Sequence, residues 1–126
     1  MKFQPDQQGQ VFIHGHDFDF IAVSGQKYTT SIIIDSTKGV EIWNCSSMAE
    51  LSEIDFQKLA DLNPELVLFG SGARLKFPAP NLLKPLMAKG IGIETMDTAA
   101  ACRTFNVLAG EGRRVVAAMW LSSINP

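Results

Sequence analysis

The sequence predicts an α/β fold, a three-layer domain around a mixed, mainly parallel central sheet with an N-terminal β extension. From residue 65 onwards, short apolar runs alternate with segments whose apolar residues have helical spacing. This alternation is typical of strands joined by crossover helices, which run parallel within one sheet. Before residue 50, turn residues alone separate the apolar runs, so this part is predicted to add strands without intervening helices.

Length and composition fit a single domain over residues 1–126. The 126 residues are 46% apolar and 19% charged, which supplies a hydrophobic core and argues against disorder. The net charge of −2 offers no basic surface, so a nucleic-acid partner is not expected. No apolar run reaches the ~18 residues of a membrane span, and the initial MKFQPDQQGQ lacks the apolar core of a signal peptide. Since both cysteines are interpreted as free thiols, we expect a cytoplasmic protein without membrane insertion.

The N-terminal part is predicted to be rich in strands. The alternation of DFDFIAV at 17–23 predicts one strand, after short extended pieces. The β-branched run TTSIIID at 29–35 predicts a strand that is covered on both faces. The turn residues STKG then lead into VEIWN, which predicts a further strand at 40–44.

The first helix is predicted from its capping residues. Ser52 and Asp55 approximate a capping box, and Ile54, Leu59 and Leu62 are expected to share the buried side. The dipeptide Asn-Pro at 63–64 should end the helix, because a residue before proline disfavours helical geometry.

The remaining chain is predicted to alternate strands and helices. ELVLFG at 65–70 indicates a central strand, SGARLKFPAP at 71–80 a loop, and NLLKPLMAKG at 81–90 a helix that Asn81 caps. IGIE at 91–94 indicates the next strand.

The last helix is expected to begin at a cap formed by Thr95 or Thr98 and to end at Gly110. The run RVVAAMWL at 114–121 then predicts a final strand with apolar side chains on both faces.

Cys102 in the last helix is a candidate reactive thiol. A nucleophilic cysteine needs a helix N-terminus, a nearby cation or a base. Cys102 lies beyond the first turn and beside the buried face that Ala101 marks, and no local element brings His14 or His16 to it. A buried structural thiol is therefore favoured over a reactive one.

Arg103 and Asn106 lie on the opposite stripe of the same helix. One interpretation is a solvated face, or an ion pair of Arg103 with Glu94 or Glu111. The other is a pair of hydrogen-bond donors that line a binding groove.

Gly70 and Gly72 follow the predicted central strand, at the position where α/β sheets bind ligands. Backbone amides in such a turn can hold an anion, with Arg74 supplying charge and the helix start at Thr98 lying opposite. However, GSGARL lacks the third glycine of a dinucleotide fingerprint and the Gly-Lys-Ser/Thr of a P-loop. A turn that merely requires glycine is the favoured interpretation.

The segment HGHDFDF at 14–20 has the composition of a metal site. His14, His16, Asp17 and Asp19 are all possible ligands, but the aspartates alternate with phenylalanines and Gly15 suggests a turn. A polar hairpin tip is favoured, and neither a metal nor a cofactor is predicted.

The C-terminal half resembles a known family. GSGARLKFP and GIGIETMDTAAACRTFNVLAGEGRRVVAAMWL carry the similarity, including the Gly-x-Gly loop and the residues Glu94, Met96, Thr98, Cys102, Arg103, Thr104, Phe105, Asn106, Glu111, Gly112 and Arg113. The chain is similar, from about Phe3 to Leu121, to the small α/β domains of unknown function related to the mitochondrial NADH dehydrogenase (complex I) assembly factor 3. The resemblance implies a three-layer arrangement around a mixed sheet, and a module that holds a protein partner.

The sequence is compatible with two functions. The first is a non-catalytic protein-binding or assembly-factor-like module, which the resemblance and the lack of a catalytic motif favour. The alternative is a small-molecule or anion binder, or an enzyme, with a site between the Gly70–Gly72 loop and the helix that carries Thr98, Arg103 and Asn106.

Overall fold

Residues 11–124 are the part of the chain that the computed structural model describes, and they form eight strands and three α-helices. The strands are β1 (Ile13–Asp17), β2 (Phe20–Val23), β3 (Gln26–Tyr28), β4 (Ile32–Asp35), β5 (Gly39–Ile42), β6 (Leu66–Gly70), β7 (Gly92–Met96) and β8 (Val115–Met119). The helices are α1 (Glu53–Asp61), α2 (Lys84–Ala88) and α3 (Thr98–Gly110). None of the helices among these residues is long and apolar enough to cross a membrane.

A five-stranded sheet with the order β5-β4-β8-β6-β7 forms the centre of the molecule. Strand β6 is parallel to both β7 and β8, whereas β4 is antiparallel to both β5 and β8. The sheet is therefore mixed, as predicted, but it is not mainly parallel. The tight turn between β4 and β5 explains part of this, because a short connection can join only antiparallel neighbours.

Strand β8 lies in the middle of the sheet and is buried along its whole length. Val116 and Ala118 point into one core cluster, with the helices α1 and α2, whereas Val115 and Ala117 point into another, with α3 and β1–β2. This follows from the two-residue period of a strand. The prediction of a strand that is apolar on both faces is confirmed.

Strands β1, β2 and β3 form a separate antiparallel sheet. The prediction of one strand over 17–23 is wrong, because a turn at Phe18 and Asp19 splits this segment between β1 and β2. Asp17 starts the turn, since its carboxylate accepts a hydrogen bond of 2.7 Å from the Phe18 amide. A hairpin tip is thus present within 14–20, but not at Gly15, which lies within β1 together with His14 and His16.

Helix α1 begins at the predicted cap. Ser52 is the N-cap residue, and the Asp55 carboxylate accepts from the Ser52 amide at 2.9 Å and from the Trp43 indole at 3.0 Å. The predicted buried side is only partly correct, because Leu59 is buried with Phe56 and Ala60, whereas Ile54 is 80% exposed.

The segment 81–90 is shorter in helix than predicted. Residues Pro80–Leu83 form a 3-10 turn, and α2 follows it with Leu83 as its N-cap, so Asn81 does not cap the helix. Gly90 follows the end of α2 with a φ of 68°, a conformation that glycine adopts without strain.

Candidate functional site

The start of α3 is fixed by Asp97 rather than by a threonine. Asp97 is the N-cap residue, and its carboxylate accepts from the Ala100 amide at 2.9 Å. The predicted caps are wrong, because Thr95 lies within β7 and Thr98 is the first helical residue. The hydroxyl of Thr98 is used for a tertiary contact instead.

Thr98 joins three segments of the chain. Its Oγ1 accepts from the Gly72 amide at 2.8 Å and donates to the Trp120 carbonyl at 2.7 Å. The Thr98 amide in turn donates to the Gly72 carbonyl at 2.8 Å. Since Thr98 is buried, these bonds hold the loop after β6, the start of α3 and the end of β8 together without solvent.

The Gly-x-Gly loop is explained by packing and backbone conformation. A Cβ on Gly70 would lie 2.7 Å from the sulfur of Met119 and 3.1 Å from Thr98 Oγ1, so any other residue would force these neighbours to move. Gly72 has a φ of 95°, which side chains rarely tolerate. The favoured interpretation of a turn that requires glycine is consistent with both observations.

The loop amides are already engaged within the protein. The Ser71 amide donates to the Met96 carbonyl at 3.0 Å, and the Gly72 amide donates to Thr98. Arg74 lies on the exposed part of the loop, and its carbonyl accepts from the Ser71 hydroxyl at 2.7 Å. An anion cradle would need free amides at these positions, so the loop gives that hypothesis no support.

Cys102 is buried against the central sheet. Its side chain is 1% exposed, and burial raises the pKa of the thiol from 9.0 to about 12, with the nearby Arg103 charge acting in the opposite direction. A thiol with this pKa is protonated at neutral pH and is therefore a poor nucleophile. The structure thus favours the structural interpretation of Cys102.

Arg103 and Asn106 line a groove between α3 and β1. Its volume is about 390 Å³. The lining residues are Ile13, His14, Gly15, His16, Cys102, Arg103 and Asn106. The structure therefore brings both histidines to the same groove as Cys102 and Arg103, which no local pattern indicated.

Asn106 holds the two walls of this groove together. Its side-chain oxygen accepts from the Ile13 amide at 2.9 Å, and its side-chain nitrogen donates to the Ile13 carbonyl at 2.6 Å. Asn106 therefore has a structural role, because its side-chain amide holds α3 against β1.

Arg103 is exposed, and its side chain forms no hydrogen bond or ion pair with any residue of 11–124. The suggested ion pair with Glu94 or Glu111 is thus not formed. His14 differs from Arg103, because its Nε2 accepts from the Gly25 amide at 2.8 Å. The neutral ring then carries its proton on Nδ1, which leaves one donor.

The predicted site residues do not all converge. Thr98, Gly70 and Gly72 meet at the buried junction, whereas Arg103 and Asn106 line the groove. A neighbouring cavity of about 380 Å³ lies between these two places and shares His16 with the groove. It is lined by His16, Asp17, Phe18, Ala73, Asp97, Ala99 and Ser122.

Within residues 11–124, no group of three or more His, Cys, Asp or Glu side chains is arranged to hold a metal ion.

Comparisons with known proteins agree with this architecture. The model of a family described as "Protein of unknown function (DUF498/DUF598)" matches residues 13–120. A curated relative, NADH dehydrogenase [ubiquinone] 1 alpha subcomplex assembly factor 3 of Xenopus tropicalis, is 29% identical over 120 residues, which is 94% of this chain. The chain spans 65% of the length of that relative.

Solved structures show the same fold. A crystal structure of a Bordetella parapertussis protein has a TM-score of 0.85 at 33% identity, and covers 93% of this chain and 99% of its own. A solution structure of a Bordetella pertussis protein, described as a Mth938-like domain, has a TM-score of 0.81 at 28% identity. That match covers 97% of this chain and 93% of the Bordetella pertussis chain.

Proposed function

The chain belongs to the DUF498/DUF598 family of proteins of unknown function, and from this premise we propose that it is a non-catalytic protein-binding module of the assembly-factor kind. The relative from Xenopus tropicalis is named as an assembly factor, and it matches 94% of this chain. Part of that relative lies outside the match, so its partners are not assigned to this chain. The partner of this chain is proposed only as a protein with an apolar contact surface.

The observation that carries the proposal is a set of exposed apolar side chains on α1, on α2 and on the loop that leads into α2. Ile54 is 80% exposed, Met87 71% and Phe77 69%, and Leu75 is also more than half exposed. We call these four residues the exposed apolar set. If these side chains form one contiguous apolar surface, they favour a protein interface, because exposed apolar patches mark binding sites.

The position of the set supports its role in binding. Helices α1 and α2 pack against each other, and their buried residues belong to the core cluster on one face of the five-stranded sheet. Strand β1 and α3 belong to the cluster on the other face. In the layered arrangement that we infer, the exposed apolar set and the groove are therefore separate surfaces.

Catalysis by a thiol is disfavoured by both cysteines. Burial raises the pKa of Cys102 to about 12, and burial together with the Asp55 charge raises the pKa of Cys45 to about 11. Neither residue is a thiolate at neutral pH, so neither supplies a ready nucleophile.

Site-specific crosslinking tests the proposal. A photoreactive phenylalanine analogue is placed at Phe77, and in a matched variant at Val107, which is 59% exposed on α3. We expect position 77 to give a discrete crosslinked protein in native cells, which an excess of unlabelled wild-type protein suppresses. Equal crosslinking patterns at the two positions, or products that the competitor does not suppress, would contradict the proposal.

A further inference from the structure

We propose that the groove between β1 and α3 binds a small molecule through its carboxylate or phosphate group, with Arg103 as the principal contact and His14 and His16 beside it. Among the residues of 11–124 that line it, the groove brings together one guanidinium and two imidazoles and contains no carboxylate. The buried residues of β1 and α3 belong to a different core cluster from those of α1 and α2, which carry part of the exposed apolar set.

Arg103 has the features of an anion-binding residue. It is exposed, it lines the groove, and none of its donors is used by residues 11–124. A guanidinium binds carboxylate and phosphate oxygens in a planar, two-pronged geometry, and these charge-assisted bonds are stronger than neutral ones.

The histidines add directed donors to the wall that faces Arg103. The bond from the Gly25 amide to His14 Nε2, 2.8 Å long, fixes this ring on β1 and leaves Nδ1 as its donor. His16 follows two residues later on the same strand and lines both the groove and the neighbouring cavity. A ligand oxygen held by Arg103 would thus have imidazole donors on the opposite side of the groove.

The walls of the groove are held in place before any ligand binds. The paired hydrogen bonds between Asn106 and Ile13, 2.9 and 2.6 Å long, fix β1 against α3. Ile13 and Cys102 add apolar surface, and the volume of about 390 Å³ is in the range of small-molecule sites, roughly 300–1,000 Å³. The binding of a small molecule would therefore require little rearrangement.

Among the residues of 11–124 that line the two cavities, the carboxylates belong to the neighbouring cavity. Asp17 and Asp97 line that cavity, and each carboxylate accepts a hydrogen bond from a backbone amide of its own turn, Asp17 from Phe18 and Asp97 from Ala100. Neither carboxylate forms an ion pair with Arg103, so the guanidinium has no carboxylate partner among residues 11–124.

Titrations followed by amide and arginine side-chain NMR test the site. Inorganic phosphate and succinate are the probes, so that the phosphate and the carboxylate arms are measured separately. We expect saturable shifts at Arg103, His14 and His16 with at least one probe. We also expect Arg103→Gln to weaken binding by about tenfold or more, because the principal charge-assisted contact is lost.

Arg113→Gln is the matched control, since Arg113 pairs with Glu65 at 3.3 Å and is not part of the groove. Unchanged binding in this variant, with loss in Arg103→Gln, supports the site. Shifts that do not saturate, or equal affinities in the two variants for both probes, would overturn it. Arg103 is exposed, so its replacement leaves the fold intact, and the NMR spectrum of each variant verifies this directly.

Discussion

The side chain of Asn106 forms a pair of hydrogen bonds with the backbone of Ile13, which is 93 residues earlier in the chain. The Ile13 amide donates to Oδ1 at 2.9 Å, and Nδ2 donates to the Ile13 carbonyl at 2.6 Å. These bonds add a polar contact to the apolar packing between the three-stranded sheet and α3, and they join the two walls of the groove that contains Arg103.

Replacement of Asn106 by alanine should destabilise the protein. The amide and carbonyl of Ile13 would lose their partners in a partly buried position, which costs about 1–3 kcal/mol in the free energy of unfolding. Urea denaturation of the two proteins measures the difference. Arg103→Ala, on an exposed position of the same helix, should change the free energy of unfolding by less than about 0.5 kcal/mol.

Thr98 can be tested by a pair of variants. Thr98→Val keeps the shape but removes the hydroxyl that bonds Gly72 and Trp120, so two buried backbone groups lose their partner. We expect a loss of about 2–4 kcal/mol in the free energy of unfolding. Thr98→Ser keeps the hydroxyl and should lose only about 1 kcal/mol for the missing methyl group. Similar losses in the two variants would contradict the assigned hydrogen bonds.

Gly70 should not tolerate a methyl group. Its Cβ would lie 2.7 Å from Met119 Sδ and 3.3 Å from Thr98 Cα, so Gly70→Ala forces a shift at the junction. Overpacking of this kind costs about 1–3 kcal/mol. Gly92→Ala in the neighbouring strand is the control, because the nearest atom would be Leu66 Cδ1 at 3.6 Å, an ordinary contact. Thermal unfolding of both variants should show a lower Tm for Gly70→Ala alone.

The buried Cys102 thiol should make the free energy of unfolding depend on pH. Its pKa rises from 9.0 to about 12 on folding because the thiol is buried. The folded state therefore holds the proton more tightly than the unfolded state does, so this contribution is complete below pH 9 and is lost between pH 9 and 12. At pH 10–11 the free energy of unfolding should fall by up to about 1.4 kcal/mol per pH unit from this group.

The measurement is urea denaturation of wild type and Cys102→Ala at pH 8 and pH 10.5. The slope with pH should be smaller in the variant, whereas equal slopes would mean that the thiol ionises alike in the folded and unfolded states. Cys45 has a pKa raised to about 11 and remains present in both proteins, so its contribution cancels.

Features set by neighbouring residues in the chain were predictable. The capping residues Ser52 and Asp55 give the start of α1, and the uniform run at 114–121 gives a strand buried on both faces. The cap of α3 was missed because Thr95 and Thr98 compete with Asp97 on residue preference alone. The Thr98 hydroxyl instead forms hydrogen bonds with the backbone of Gly72 and Trp120. These partners are distant in the chain, so the local sequence does not reveal them.

The groove depends on contacts between distant parts of the chain. Arg103 and Asn106 were predicted on one helical stripe, but their neighbours His14 and His16 come from a strand nearly 90 residues away. The turn after Asp17 was not predicted, because the alternation of polar and apolar residues in DFDFIAV continues through the hairpin and is the same as that of a single strand. Two histidines at 14 and 16 were the only local signal, and they were interpreted as part of a polar hairpin tip.

The role of the exposed apolar set in binding is tested most directly by measuring how tightly the crosslinked protein, once purified, binds wild type, Phe77→Ser and Val107→Ser. Both positions are exposed by more than half, so neither replacement removes core packing. We expect Phe77→Ser to weaken binding by about tenfold or more, and Val107→Ser to leave the Kd unchanged. Equal affinity for all three proteins would contradict the role of the exposed apolar set in holding a protein partner.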